Sequence, residues 1–254
     1  MASVVPEIVS RRDVAEGGVV VNSVVKNLTS LARKAYQGQC IVAYSSRTGV
    51  GKSKAVDHLA ATLNFPSRIV RCKQTTSLTS LVRAIALDED FRVNRSHHAI
   101  PNTAILYERA VERAWASRYL LVIDEADRLK ANCFEMVRDL WDDAKIGILM
   151  VGNEGLESII NERHERLARR IRIRYVQSDL RRDALREVLE AMGFEFSDEE
   201  LVLIYEKAGG SPGWAESLLN TRDEIAESHG KKPDIEFLRG ALQYFPTLAK
   251  KGSR

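Results

Sequence analysis

The sequence predicts an α/β protein: a three-layer domain with a parallel sheet between helices, followed by a small all-α domain. Short apolar runs typical of buried strands alternate with segments of helical periodicity as far as Gln177. A glycine-rich loop joins the first of these strands to the next helix. Beyond Gln177 the strand-like runs end, and helical periodicity alone continues towards the C-terminus.

The predicted strands are short, rich in apolar residues and bounded by polar or turn-forming residues. This pattern is typical of strands that are buried on both faces of a parallel sheet. The strands cover residues 40–46, 67–73, 119–125, 146–153 and 171–176.

The predicted helices have apolar residues three or four positions apart, the spacing of one helix face. A polar loop is expected at 91–102, and the segment after Gln177 begins with a Ser or Asp helix cap. The helices before that point cover residues 24–36, 53–64, 77–90, 103–117, 133–144 and 156–170.

These segments group into three regions. Residues 1–22 carry several valines, two arginines and a Gly-Gly break, and we expect a loosely attached N-terminal arm. Residues 23–177 are expected to form the α/β nucleotide-binding domain. Residues 178–254 are expected to form a helical lid domain that ends in a basic tail.

The composition is that of an ordinary soluble globular protein, with 44% hydrophobic and 29% charged residues among 254. No apolar run approaches the roughly 20 residues of a membrane span, and the N-terminus lacks the apolar core of a signal peptide, so we expect no membrane association. The three cysteines, Cys40, Cys72 and Cys133, are widely spaced. This spacing favours a reducing cytoplasm and argues against a disulfide framework and a zinc site.

Positive charge is concentrated in one segment rather than abundant overall. The net charge is only +3, yet residues 163–174 contain six arginines. Such a segment is compatible with DNA binding and also with a solvated face.

The stretch SSRTGVGKS at 45–53 ends in the Gly-Lys-Ser of a phosphate-binding loop. The pattern G-x-x-x-x-G-K-[ST] asks for glycine where this chain has Ser46. In such loops backbone N–H groups surround a triphosphate at a helix N-terminus, the lysine reaches the β- and γ-phosphates, and the following hydroxyl ligates Mg²⁺. A chance turn is the alternative. The predicted nucleotide-binding residues are Ser46, Thr48, Gly49, Val50, Gly51, Lys52, Ser53 and Lys54.

A second motif, YLLVIDEAD at 119–127, delivers a carboxylate at the end of an apolar strand. Asp124 is expected to hold Mg²⁺ together with Ser53, and Glu125 to polarise the attacking water. An apolar strand that ends in an acidic turn for structural reasons is the alternative. Because both motifs occur in the expected topology, we predict a working nucleotide site in which Ser46 is a tolerated variation.

The succession of motifs resembles the AAA+ ATPases over roughly residues 22–225. The resemblance implies that ATP and Mg²⁺ are the cofactors. It also implies that Asn153, at the end of ILMVGN, lies between the nucleotide and the attacking water as the residue called sensor 1. A turn that merely ends the strand is the alternative for Gly152-Asn153.

The same resemblance implies an arginine finger, which reaches into the ATP site of a neighbouring subunit. The segment LARRIRIRYV offers Arg169 and Arg170, with Arg166 one turn earlier. We favour Arg170, because an arginine followed by a hydrophobic residue at the start of a strand resembles the family pattern. Basic surface residues at a helix C-terminus, where the helix dipole favours them, are the alternative.

The helical region contains KAGGSPGWAESLLN at 207–220, with Gly213 where many AAA+ proteins carry the sensor 2 arginine. The sequence resembles the transposition ATPases of the MuB and TnsC type in three features: this glycine, the short chain and the segment TTSLTSLVRAIA at 75–86. That resemblance implies ATP-dependent filaments on double-stranded DNA, selection of target DNA and activation of a transposase.

The family resemblance also places DNA contacts in the loops after the second strand and after the acidic motif. Phosphates need cations and hydroxyl donors there, without base reading. Solvated polar loops are the alternative, and Trp115, Trp141 and Trp214 are predicted to be core residues rather than base-stacking platforms. The candidate DNA contacts are Lys73, Thr75, Thr76, Arg92, Arg95 and Lys130.

Two rival functions remain open at this point. One is a helicase or clamp loader of the same fold, which would handle a protein ring. The other is a nucleotide-dependent signalling or scaffold switch that binds no nucleic acid. Filament formation on plain duplex DNA with ATP would separate the favoured function from both.

Overall fold

The computed structural model describes residues 7–9, 19–86 and 102–245. Among these residues the chain divides into two compact units. The α/β unit contains residues 7–9, 27–45, 53–86 and 102–177. The helical unit contains residues 19–26, 46–52 and 178–245, so the glycine-rich loop clusters with the C-terminal helices although it follows a strand of the sheet.

The sheet of the described residues has the strand order β1-β3-β4-β5-β2-β6. Pairs β3–β4 and β4–β5 are parallel, and β1 pairs antiparallel with β3 at one edge. The predicted α/β fold with a parallel sheet is confirmed, while β1, within the region expected to be an arm, is an addition. The strands are β1 (Glu7–Val9), β2 (Ile41–Ser46), β3 (Ser67–Arg71), β4 (Leu120–Asp124), β5 (Ile148–Asn153) and β6 (Ile171–Gln177).

Helices connect these strands and then continue alone after β6. The predicted helix at 156–170 is two helices, because the backbone of His164 leaves the helical region at φ −135° and ψ 52°. A short 3₁₀ turn, Ala126–Arg128, follows β4. The α-helices are α1 (Ser23–Gly38), α2 (Lys52–Thr62), α3 (Leu78–Ala86), α4 (Thr103–Ser117), α5 (Ala131–Ala144), α6 (Gly155–Arg163), α7 (Glu165–Ala168), α8 (Arg182–Ala191), α9 (Asp198–Ala208), α10 (Pro212–Ser228) and α11 (Ile235–Leu242). No helix in the described ranges combines the length and apolar character needed to cross a bilayer.

The core of the α/β unit is built on strand β4, in which all five residues are buried. Leu121 and Ile123 belong to one apolar cluster with Phe134 of α5 and Leu106 of α4. This burial fixes the direction in which β4 presents its last residue, Asp124.

One of the three tryptophans predicted to be core residues is exposed. Trp115 is 65% exposed, because the buried face of α4 is formed by Leu106, Ala110 and Ala114. Trp141 is partly buried and donates its ring N–H to the carbonyl of Gln39 at 2.9 Å. Trp214 packs partly buried against the apolar core of the helical unit.

The helical unit contains a buried ion pair between α9 and α10. Arg222 Nη1 lies 2.8 Å from Glu200 Oε1, and the two side chains are 3% and 7% exposed. Glu200 also accepts the backbone N–H of Ser197 in a capping box at the start of α9. The pair therefore joins the cap of one helix to the middle of the next.

We expect Arg222→Met to lower the free energy of unfolding by about 3–5 kcal/mol, because it leaves the Glu200 carboxylate buried and without its counter-ion. Denaturant unfolding followed by circular dichroism measures the loss. Arg239→Ala is the matched control, since Arg239 pairs with Glu236 at the surface, where such a pair is worth about 0–1 kcal/mol. Equal losses in the two variants would contradict a structural role for the buried pair.

Candidate functional site

The loop between β2 and α2 takes a conformation that favours glycine at two positions. Gly49 and Gly51 have φ values of +86° and +97°. A Cβ atom at Gly49 would lie 2.4 Å from Ser211 Oγ, so no larger residue fits there without a shift of the serine. The sequence motif thus has a local physical cause: the backbone must turn back before the first helical residue, Lys52.

The ammonium of Lys52 is held inside this loop. Lys52 is 8% exposed, and its Nζ donates to Arg47 O at 2.9 Å, to Ser46 Oγ at 3.2 Å and to Ser46 O at 3.3 Å. A buried charge requires such polar contacts, because the loss of water is costly. The arrangement holds a cation inside the loop, and phosphate oxygens could replace the carbonyl oxygens as its acceptors. Ser46 therefore supplies a hydroxyl contact where the motif has glycine.

Three contacts hold the loop within the helical unit. Arg47 Nη1 lies 2.6 Å from Asp179 Oδ2, and the backbone N–H of Gly213 donates to Gly49 O at 3.0 Å. Ser211, which precedes α10, is 1% exposed, and its Oγ has no hydrogen-bond partner. An unpartnered buried hydroxyl beside a phosphate-type loop fits a polar ligand such as a nucleotide. The sequence motifs do not point to Arg47, Asp179 or Ser211.

Asp124 lies at the carboxyl end of β4 and is 1% exposed. Its Oδ1 accepts the backbone N–H of Glu125 at 2.9 Å, and its Oδ2 accepts Arg71 Nε at 2.8 Å. Arg71 also donates to Asp57 Oδ1 at 2.7 Å. Burial raises the pKa of Asp124, and the hydrogen bond from Arg71 opposes that rise. The pKa of Arg71 is raised, because hydrogen bonds to both carboxylates outweigh the lowering effect of burial.

Glu125 follows with a left-handed backbone, at φ 57° and ψ 39°. A residue other than glycine in this region costs about 1–3 kcal/mol and is often found at functional sites. The side chain is 21% exposed and its Oε2 lies 3.0 Å from Arg128 Nε. The turn directs Glu125 away from the path of strand β4.

Asn153 ends β5 and is fixed by Asp127. Asp127 Oδ1 accepts the backbone N–H of Asn153 at 2.9 Å, and Asp127 Oδ2 accepts its side-chain Nδ2 at 3.1 Å. A Cβ atom at Gly152 would lie 2.7 Å from Asp127 Oδ1, so glycine makes room for this contact. The role of Asp127 was not predicted, although its place as the last residue of IDEAD was a signal in the sequence.

The candidate finger arginines differ in their surroundings. Arg170 Nε donates to Asp142 Oδ2 at 2.8 Å and to Oδ1 at 3.1 Å, while Nη1 donates to Arg166 O at 3.0 Å. Arg169 is 74% exposed and pairs with Glu165. Arg166 is exposed. Thus Arg170, the favoured candidate, is the one anchored to another helix of its own subunit.

The candidate DNA contacts fall into three groups. Lys73, Thr75 and Lys130 are exposed, beyond the ends of β3 and β4. Thr76 is fully buried, and its Oγ1 accepts the backbone N–H of Lys73 at 2.8 Å, so it stabilises a turn and the expectation of a surface contact there is wrong. Two further candidates, Arg92 and Arg95, lie outside the described residues.

Few side-chain ligands in the described part of the chain are grouped closely enough to hold a divalent cation. Within 19–86 and 102–245, no group of three or more His, Cys, Asp or Glu side chains could hold a metal ion. Mg²⁺ typically uses one or two carboxylates and completes its shell with water and substrate phosphates. Asp124 and the exposed hydroxyl of Ser53 fit that limited demand.

Comparisons with known proteins agree with the fold and the motifs. A family model described as an AAA domain matches residues 35–160. The Mu-like prophage FluMu DNA transposition protein B of Haemophilus influenzae is 26% identical over 180 residues, which cover 67% of this chain and 61% of that protein. The chain thus spans about three fifths of the length of this curated relative.

Solved structures share the fold at lower identity. The ORC1 protein of Aeropyrum pernix, solved in complex with DNA, is similar with a TM-score of 0.64 and 19% identity, over 93% of this chain and 69% of that one. Cdc6p of Pyrobaculum aerophilum is similar with a TM-score of 0.69 and 14% identity, over 94% of this chain and 72% of that one. Residues 35–160 thus match the AAA domain family, and together with the fold the similarity to a Mu-like protein B supports an AAA+ ATPase of the MuB type.

Proposed function

We propose that this protein is a Mg²⁺-dependent ATPase that assembles on double-stranded DNA, selects target DNA for transposition and activates a transposase. The observation that carries the nucleotide part is the buried Lys52 ammonium, held among the carbonyls of a loop with two left-handed glycines. The similarity to a DNA transposition protein B supports the biological role. The three cysteines of this chain are buried and free, in accord with the reducing cytoplasm that we propose for the protein.

In this proposal residues 46–54 surround the nucleotide phosphates, and Lys52 exchanges its loop carbonyls for phosphate oxygens. Ser53 and Asp124 hold Mg²⁺. When bound, the metal neutralises charge on the phosphates. Because Arg71 and the Glu125 N–H occupy opposite oxygens of Asp124, the carboxylate has a fixed orientation before any ligand arrives.

Glu125 and Asn153 are proposed to act on the attacking water. Glu125 would accept a hydrogen bond from the water and strengthen its attack, for which it must exchange its contact with Arg128. Asp127 acts through Asn153 by fixing the amide orientation, and is a positioning residue.

The proposed DNA surface begins with the exposed Lys73, Thr75 and Lys130. Lys73 and Lys130 follow β3 and β4, which are parallel neighbours, so both lie at the carboxyl edge of the sheet. Contacts from lysines to phosphates carry affinity without reading base sequence. Arg92 and Arg95 stay part of this proposal on sequence grounds.

A second candidate function is that of a helicase or clamp loader of the same fold. The specific observation in its favour is the similarity to ORC1 and Cdc6p over more than nine tenths of this chain. A switch that binds no nucleic acid is the third outcome. Electron microscopy of the protein with linear duplex DNA and a slowly hydrolysed ATP analogue distinguishes them: filaments support the transposition role, closed rings the second, and particles without DNA the third.

We expect affinity for plain duplex DNA to fall steeply with salt and to depend little on sequence. Lys73→Ala with Lys130→Ala should reduce the slope of log affinity against log salt by roughly one for each lysine lost. Fluorescence anisotropy across a salt series measures the slope. Lys231→Ala with Lys232→Ala, in an exposed turn of the helical unit, is the matched control. An unchanged slope would move the DNA surface to the arginines of 163–174.

A further inference from the structure

Strand β3 ends in an arginine that neither sequence motif includes. Arg71 bridges two carboxylates: its Nε lies 2.8 Å from Asp124 Oδ2 and its Nη2 lies 2.7 Å from Asp57 Oδ1. The arginine side chain is 21% exposed and that of Asp124 is 1% exposed. The contact is built into the sheet, because the register of β3 and β4 places Arg71 opposite Asp124.

Asp57 brings the same network to helix α2. It lies four residues after Ser53, and residues four apart lie on the same face of a helix. The guanidinium therefore lies beside residues that carry the oxygens proposed for Mg²⁺. Two carboxylates alone would carry a charge of about −2, and with Arg71 the cluster carries about −1.

We propose that Arg71 balances the charge of the nucleotide-free site and positions Asp124, so that a divalent cation is retained only together with the nucleotide phosphates. Carboxylate pairs attract hard divalent cations, and a guanidinium bound to both carboxylates opposes that attraction. Nucleotide phosphates add negative charge and oxygen ligands, which outweigh the repulsion between the Arg71 guanidinium and the cation. This inference rests on the proposed nucleotide function.

The test uses Mn²⁺ as the probe and the full chain without nucleotide. Free Mn²⁺, measured by electron paramagnetic resonance during a titration, gives its affinity for the protein. We expect Arg71→Gln and Arg71→Met to bind Mn²⁺ about tenfold more tightly than the wild type, because each removes the neutralising cation. Arg71→Lys should stay near the wild type, since it keeps the charge.

Two further variants separate charge balance from a general loss of arginine. Arg68→Gln is the matched control on the same strand, where Arg68 donates to the carbonyl of Ala84 at 2.6 Å. It should leave Mn²⁺ affinity unchanged. Arg71→Gln combined with Asp57→Asn removes one charge of each sign and should return the affinity close to the wild-type value.

The proposal is overturned if both neutral Arg71 variants, folded by circular dichroism, bind Mn²⁺ no more tightly than the wild type. An equal gain in Arg68→Gln would overturn it as well. If one neutral variant does not fold, the other decides. Binding of a fluorescent ATP analogue in the presence of Mg²⁺ is measured in parallel, and a wild type that binds none would contradict the nucleotide function. The Mn²⁺ titration contains no nucleotide, so its result is judged separately.

Discussion

Lys52→Ala is expected to weaken ATP binding by about 100-fold or more and to abolish ATP-dependent assembly on DNA. Truncating one partner of a buried, hydrogen-bonded charge pair typically costs about 2–5 kcal/mol. With bound phosphates Lys52 would be such a partner, because its Nζ is buried inside the loop proposed to surround them. Fluorescence titration with an ATP analogue and sedimentation with duplex DNA measure the two effects.

Lys34→Ala is the control for this prediction, since Lys34 is exposed on α1.

Glu125→Gln is expected to separate ATP binding from ATP hydrolysis. It keeps the shape of the side chain but removes the carboxylate, so it should bind ATP normally and hydrolyse it at a small fraction of the parent rate. Parent-rate hydrolysis by Glu125→Gln would show that Glu125 takes no part in the reaction. Normal ATP affinity in Lys52→Ala would show that the loop does not bind the nucleotide.

Arg170→Ala is expected to leave ATP affinity nearly intact and to lower DNA-stimulated hydrolysis by about 10³–10⁵, the contribution of an arginine finger. Gly213 has no cationic side chain at the position where many AAA+ proteins carry the sensor 2 arginine. Stabilisation of the negative charge in the transition state is therefore expected to depend more on an arginine of the neighbouring subunit. In this structure Arg170 pairs with Asp142, and both side chains are about one third exposed. Such a partly solvated pair is worth about 1 kcal/mol or less, so Arg170 can exchange Asp142 for a phosphate at small cost.

Complementation gives the sharper measurement. A mixture of Arg170→Ala and Lys52→Ala proteins should regain part of the phosphate release on duplex DNA, because one chain supplies the pocket and the other the arginine. Arg174→Ala, an exposed arginine of the same basic segment, is the control and should keep parent activity. Absence of complementation, with normal DNA binding, would transfer the role to Arg169 or Arg166. Full activity of a dilute monomer would contradict a site shared between subunits.

The elements and the main motifs could be predicted because their signals are local in sequence. Asp124 follows four apolar residues of a buried strand, and Lys52 follows the glycines that its loop requires. The partners of these residues could not be predicted in this way. Arg71 meets Asp124 across 53 positions, and Arg47 meets Asp179 across 132, so only the folded chain brings them together.

The local errors have physical causes too. Trp115 lies one position beyond the buried Ala114, and one residue turns a helix by about 100°. No proline or glycine in the sequence marks the helix break at His164. The break accompanies tertiary packing instead, because His164 is buried against Phe134 with ring centroids 4.5 Å apart. In both cases packing decides what periodicity alone leaves open.

The clustering of the phosphate loop with the C-terminal helices has a consequence for how this protein can evolve. Arg47 and Asp179 form a pair of opposite charges, and Gly49 faces Ser211 with no space for a side chain between them. A change on either side selects for a matching change more than 130 positions away. Recombination that replaced the C-terminal segment with that of a distant relative would set an unmatched residue against the loop. We therefore expect the two segments to be inherited together, although strands β3 to β6 separate them along the chain.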